Sequence, residues 1–366
     1  MKKNKGGRPI VSKGVPRIRL CPEELALINQ YRAIKNQANS LGLDEKDVKH
    51  GWLKSKDASL FFKNPSFGNE FDVNKIDFKK LFEDVPPLAI EKQRKGELKG
   101  EFDKLVFTDV HVGMDASDKG RNMYPTEWNE TILFERLTQM VSFTLEKQES
   151  HVLYISDLGD FLDGFNGQTT RGGHALPQNM SNQQAFDVAF MFKVRLLEAL
   201  APHYKLIVMR NVCNDNHSGD FAYFVNQAVK HYVETQLKNV RIINQTSFID
   251  WELVGNYCFV STHGKDTHNL KHGFKPKIDP NQVNKIVGYL HSQDLLNKGY
   301  EIIFEKGDSH QYLFDASSSD VFKYYNYPAL SPSSNWVATN FQLGRSGFIH
   351  FNYGLSTKSI NEYFFK

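Results

Sequence analysis

The sequence predicts an α/β protein on three observations. Beyond residue 100, short apolar runs of strand length alternate with longer stretches of helical periodicity. The composition, 40% hydrophobic, 13% aromatic and 24% charged over 366 residues, is that of an ordinary globular chain. Polar residues with catalytic or ligating side chains stand directly behind the apolar runs, where open α/β sheets place their ligands. At about 100 to 200 residues per domain, the length allows two or three domains.

The chain opens on a basic arm, residues 1–20. It carries Lys2, Lys3, Lys5, Arg8, Lys13, Arg17 and Arg19 with no acidic side chain. Such a block repels itself and is suited to a solvated segment that contacts polyanions. Gly6-Gly7-Arg8-Pro9 is similar to the minor-groove hook of chromatin proteins, and a solubilising tail is the plain alternative. Residues 21–83 read as a small helical domain. From Pro22 to Leu41, the residues Leu25, Leu27, Ile28, Tyr31, Ile34 and Ala38 recur at helical spacing, and Gly42 stops the helix. A second helix is expected over Glu45–Leu53, then an amphipathic stretch closed by Asn64-Pro65. Two short helices beside a basic arm suit a helix-turn-helix DNA reader, or equally a small bundle. Residues 84–100 are polar and rich in breakers, and read as a linker to a domain over 101–366.

In that domain, strands are expected at Leu105–Phe107, Val152–Ile155, Leu206–Met209, Tyr257–Val260 and Ile302–Phe304. Helices are expected at about 127–147, 182–200, 220–238 and 281–297. The segment 335–353 reads as two more strands about a turn at Gly344–Gly347. Cys21, Cys213 and Cys258 are too few for a disulfide framework or a thiolate zinc site, and a reducing cytoplasm is expected. No apolar run reaches the ~18 residues of a membrane span, so no membrane partner is expected.

Behind the first expected strand stands Asp109-Val110-His111, and behind the second Gly159-Asp160-Phe161-Leu162-Asp163-Gly164. The third leads to Asn214-Asp215-Asn216-His217, the fourth to Thr262-His263-Gly264, and the fifth to Gly307-Asp308-Ser309-His310. Singly, each is an ordinary turn. Together they bring imidazoles, carboxylates and an amide to one sheet edge. That donor set suits manganese, iron or zinc, and it is too large for one tetrahedral ion but sized for two sharing a carboxylate.

These five motifs, in this order, resemble the calcineurin-like metallophosphoesterase superfamily, over about residues 103–312. The resemblance implies a two-sheet β-sandwich flanked by helices, and two divalent ions, manganese first with iron and zinc as alternatives. It implies Asp109, His111 and His310 as ligands of one ion, Asp160 as the bridge, and Asn216 and His263 as ligands of the other. It also implies hydrolysis by hydroxide held between the ions, with His217 beside the leaving group. Two positions depart from the pattern. Asp215 and Ser218 flank Asn216-His217 where the family carries Gly and an acid, and Asp308 replaces a histidine, offering an oxygen to the second ion. The polar loop Asn166–His174 offers Arg171 and His174 to a substrate phosphate.

Charge directs the substrate choice. Residues 1–100 hold 21 Lys+Arg against 13 Asp+Glu, a balance of +8, leaving −5 for residues 101–366. An acidic catalytic part with a basic extension fits a phosphodiesterase acting on nucleic acid, similar to the DNA repair exonuclease branch. The alternatives are a phosphatase or cyclic-nucleotide phosphodiesterase whose N-terminus binds protein, and a non-catalytic DNA-binding subunit. A protein partner and self-association stay open.

Overall fold

The computed structural model describes residues 98–366 apart from 120–121, 267–268, 272–274 and 341–342, together with 32, 36, 50–54, 59–63 and 88–90. The chain divides into two compact units, Met1–Asp72 and Val73–Lys366.

In the first unit the described strands β1 (His50–Lys54) and β2 (Ser59–Lys63) form an antiparallel hairpin, with His50 opposite Lys63 and Lys54 opposite Ser59. The helix expected over 45–53 is therefore corrected from residue 50 onward. Gly51 weakens a helix there, and Leu60-Phe61-Phe62 supplies a strand partner that helical periodicity does not register. The rest of the expected helical domain, the basic arm and most of the linker lie outside the described residues.

The second unit is α/β, with two mixed sheets flanked by helices. Its elements are β3 (Phe102–Phe107), α1 (Glu130–Glu146), β4 (Val152–Asp157), α2 (Asn182–Leu200), β5 (Leu206–Val212), α3 (Asp220–Gln236) and β6 (Val240–Gln245). Then follow β7 (Asp250–Val254), β8 (Tyr257–Ser261), α4 (Pro280–Ser292), β9 (Glu301–Lys306), β10 (Leu313–Asp315) and β11 (Phe322–Asn326). The chain closes with α5 (Asn335–Asn340), β12 (Gly347–Tyr353) and β13 (Lys358–Phe364). One sheet runs β13-β12-β3-β4-β5-β6, parallel from β3 to β6; the other runs β10-β11-β9-β8-β7, parallel through β11, β9 and β8. Register is fixed by pairs such as Leu105 with Ile155 and Phe259 with Ile303.

Local chemistry starts the helices where the periodicity starts. Ser181 and Gln184 cap each other at α2, as do Asp279 and Gln282 at α4, where Pro280 takes the first helical position. On the other face of α4's sheet, the two sheets meet through an aromatic core. Phe102 stacks on Tyr353 at 4.5 Å between ring centroids, and Tyr257 meets Tyr353 edge-on at 4.6 Å. Phe351 meets Tyr325 at 5.6 Å. Face-to-face packing of this kind is compatible with the expected two-sheet sandwich. Within it, Lys104 Nζ lies 2.9 Å from Glu305 Oε2, and Tyr327 donates to the other Glu305 oxygen at 2.9 Å. With these partners neither buried charge is left uncompensated.

The segment 335–353 differs from expectation. Its first half is helix α5, because Ser334 accepts from the backbone of Val337 and Ala338 and so begins a helical turn. β12 pairs with β13 instead, across a turn closed by Gly354 N–H to the Thr357 carbonyl. Among the described residues no helix is long and apolar enough to cross a membrane.

Candidate metal centre

Each of the five motifs stands at the carboxyl end of a parallel strand, three in one sheet and two in the other. Asp109 and His111 follow β3, Asp160 and Asp163 follow β4, and Asp215, Asn216 and His217 follow β5. His263 follows β8, and Asp308 and His310 follow β9.

The backbone there is unusual. Asp109, His111, Asp160, Asp308 and His310 all have φ between 46° and 70°, the left-handed region that L-residues seldom enter. Hydrogen bonds hold the turns: Asp109 N–H donates to the Gly159 carbonyl and His111 N–H to the Asp160 carbonyl, both at 3.0 Å. Gly159 (φ 100°) lies so close to His263 that a Cβ would come 3.0 Å from its Nδ1. Gly307 is tighter still, with Thr108 Oγ1 at 2.2 Å and Asp109 Oδ2 at 2.7 Å from where a Cβ would be.

The side chains converge. Three groups have ligand atoms within 4.8 Å of one another: Asp109, His111 and His310; Asp109, Asp160 and His263; and His111, Asp160 and His217. His310 Nε2 is 3.2 Å from Asp109 Oδ1 and 3.1 Å from His111 Nε2. His263 Nε2 is 2.9 Å from Asp160 Oδ2 and 3.8 Å from Asp308 Oδ1. Asp160 belongs to two of the groups, and His217 is brought into one of them rather than standing apart.

Buried carboxylates outnumber the cations that answer them. Asp109, Asp160, Asp163, Asp215 and Asp308 are all at most 6% exposed. Burial pushes the Asp109 carboxyl up, but His310 and then His263 outweigh it and bring it down to about 2. At Asp160 burial is likewise overcome, by His217 and His263, and the group falls well below the usual carboxylate range. His263 is drawn down by burial yet raised to about 10, chiefly by Asp160. His217 is also raised, burial being outweighed by Asp160 and Asp163. Asp308 is raised by burial against the pull of Lys306 and His263. Protons on histidines thus neutralise a site built for more positive charge.

The donors fit divalent cations. Asn216 Oδ1 and Asp308 Oδ2 are buried without a hydrogen-bond partner, a costly condition that a cation relieves. Oxygen and imidazole nitrogen, with no thiolate, are the ligands of manganese, iron and zinc.

The residues expected to meet substrate separate. His174 lines a cavity of about 440 Å³ that also exposes His111, Asp160, His217 and His310. Arg171 is absent from that lining. Its guanidinium donates to the Lys265 carbonyl and to Asn214 Oδ1, both at 2.8 Å, and so ties three loops together.

Two further positions gain a role from the fold that their place in the sequence does not announce. Asp163 Oδ1 lies 3.1 Å from His111 Nδ1, and the Asp163 carbonyl lies 2.8 Å from His217 Nδ1, so one residue orients two imidazoles. Asp215 accepts from the backbone N–H of Asp160, Ser218 and Gly219 and fixes the loop bearing Asn216 and His217. Both belong to the five motifs, at positions where the side chain faces other motifs rather than the cavity's centre. Comparison with protein-family models and with curated proteins finds no match.

Proposed function

We propose that the chain is a dinuclear-metal phosphodiesterase that hydrolyses nucleic acid. The observation that carries this reading is the set of three overlapping His/carboxylate groups sharing Asp109, His111 and Asp160, opening onto one cavity. Asp109, His111 and His310 hold one ion, Asn216, His263 and Asp308 the other, and Asp160 is shared. When bound, divalent ions of this kind acidify water and neutralise phosphoryl charge.

The chain's own residues do the rest. Asp163 receives a hydrogen bond from His217 Nδ1 through its carbonyl, which directs Nε2 away from the loop. Asp160 and Asp163 favour the protonated imidazole. His217 thus carries a proton at Nε2 to give to a departing oxygen, a contribution of about 10² to 10⁴ in rate. His217 is also its group's least buried imidazole, with the side chain 18% exposed against 3% for His111. The −5 balance of residues 101–366 supports a polyanion held in part by the +8 of residues 1–100.

Incubating the manganese-loaded protein with single- and double-stranded DNA, RNA and a cyclic dinucleotide, with product lengths resolved, tests the reading. Shortened polynucleotides that vanish with chelator are expected. Full cleavage in excess chelator, or cleavage of the cyclic dinucleotide alone, overturns it.

A further inference from the structure

The cavity above the centre has two unlike walls. One is the histidine and carboxylate cluster, and the other is apolar, with Met114, Leu176, Pro177, Trp336 and Val337. Val337 is buried, as core packing requires, but Trp336 beside it on α5 is 43% exposed. An indole half in solvent at the mouth of a polar site is a surface available to a ligand.

The ring's setting is built. Ser334 caps its helix, and Asn335 Oδ1 accepts from Met123 N–H at 3.2 Å, so the segment is tied to the loop across the cavity. Lys265 Nζ stands 5.7 Å from the indole centroid. The Lys265 carbonyl is the acceptor gripped by Arg171, so Arg171 positions this lysine without facing the cavity. An aromatic face, an adjacent ammonium and a phosphate-seeking cluster are the three parts needed to hold a base, its sugar-phosphate edge and its phosphate.

We infer that the apolar wall is a nucleobase platform, and that the cavity takes one unpaired nucleotide with its base stacked on Trp336 and its phosphate toward the histidines. At about 440 Å³ the space suits a small-molecule ligand rather than a helix with two strands. A paired base must therefore leave its stack to enter, so single-stranded ends are the preferred substrate over intact duplex. Stacking discriminates little among bases, because every base has a π face. The inference deepens the phosphodiesterase reading and rests on it for the phosphate end alone.

Calorimetric titration of the metal-loaded full chain with adenosine 5′-monophosphate, ribose 5-phosphate and inorganic phosphate tests it. The mononucleotide should bind most tightly, and Trp336→Ala should weaken it by about 5- to 150-fold while leaving the other two unchanged. Trp336→Phe should keep most of the affinity. In chelator-treated protein, adenosine should quench the indole fluorescence, and Trp336→Phe should abolish that quench. Equal affinity for the mononucleotide and ribose 5-phosphate overturns the platform, as does an equal loss of all three ligands in both variants. If phosphate fails to bind while adenosine still quenches through Trp336, the platform stands and the hydrolase reading falls.

Discussion

Aspartate and histidine at positive φ cost backbone energy that glycine avoids, and five such residues in one centre show where the fold accepts strain to aim side chains. Asp160 has the most to lose by substitution. Its Oδ1 accepts from His217 N–H at 3.2 Å and its Oδ2 faces His263 Nε2 at 2.9 Å, so Asp160→Asn keeps the shape and removes the charge. Elemental analysis should find less metal in this variant than in the unmodified protein, with no loss of folded structure by circular dichroism. Unchanged metal content removes Asp160 as a ligand. His217→Asn should retain metal but slow cleavage of a polynucleotide by about 10² or more, and slow an activated aryl phosphodiester far less, since that leaving group needs no proton. Equal losses on both, or a drop in metal, make His217 a ligand, the role its grouping with His111 and Asp160 also allows. The ligand candidates were legible because each motif sits at a strand end. Asp163 and Asp215 were not, because their work is to orient neighbours that only the fold brings near.

Gly307, one residue beyond β9, separates what the strand fixes from what the site requires. Gly307→Ala places a methyl against Thr108 and Asp109, so about 1–3 kcal/mol of stability should go, read as a lower urea midpoint at unchanged slope. A wild-type midpoint contradicts the close approach. In β3, burial raises Asp103 to about 6, against hydrogen bonds from Asn352 and the backbone of Ser150 and Glu149. The folded state therefore prefers the proton. Its contribution is most favourable below pH ~4, is lost as pH rises through 6, and is flat above, a change of roughly 3 kcal/mol at 1.36 kcal/mol per unit. The stability difference between the unmodified protein and Asp103→Asn should shrink by that order from pH 4 to pH 7, other titrations cancelling. A difference independent of pH contradicts the shift. The five expected strands and four longer helices are present because runs such as Leu206–Met209 and Asn182–Leu200 carry their own period. β10 and β11, at the edge, were not legible: Leu313–Asp315 is too short to show alternation, and its pairing depends on β9. α5 was missed because its aromatic and β-branched residues favour strands and only the cap at Ser334 says otherwise.

Across the whole molecule, the uneven charge separates affinity from chemistry. Deleting residues 1–20 should weaken duplex DNA binding and flatten its salt dependence by about 0.9 in log-log slope for each phosphate the arm no longer neutralises. Hydrolysis of a small chromogenic phosphodiester should be nearly unchanged. An unaltered salt slope makes the arm a tail and withdraws a main support for a nucleic-acid substrate.

The centre also straddles the two sheets. Asp109, His111, Asp160 and Asn216 come from the strands of one, and His263, Asp308 and His310 from the strands of the other. His111 and His310, 3.1 Å apart, are separated by 199 residues of chain. Pairings so distant in sequence are made late, after loop-closure entropy has been overcome. A nascent or partly refolded chain with only one sheet in place therefore lacks half of its ligands. The competence to bind metal arrives with the docking of the sheets, so a chain that has stopped short of that step cannot carry an active centre into the cell.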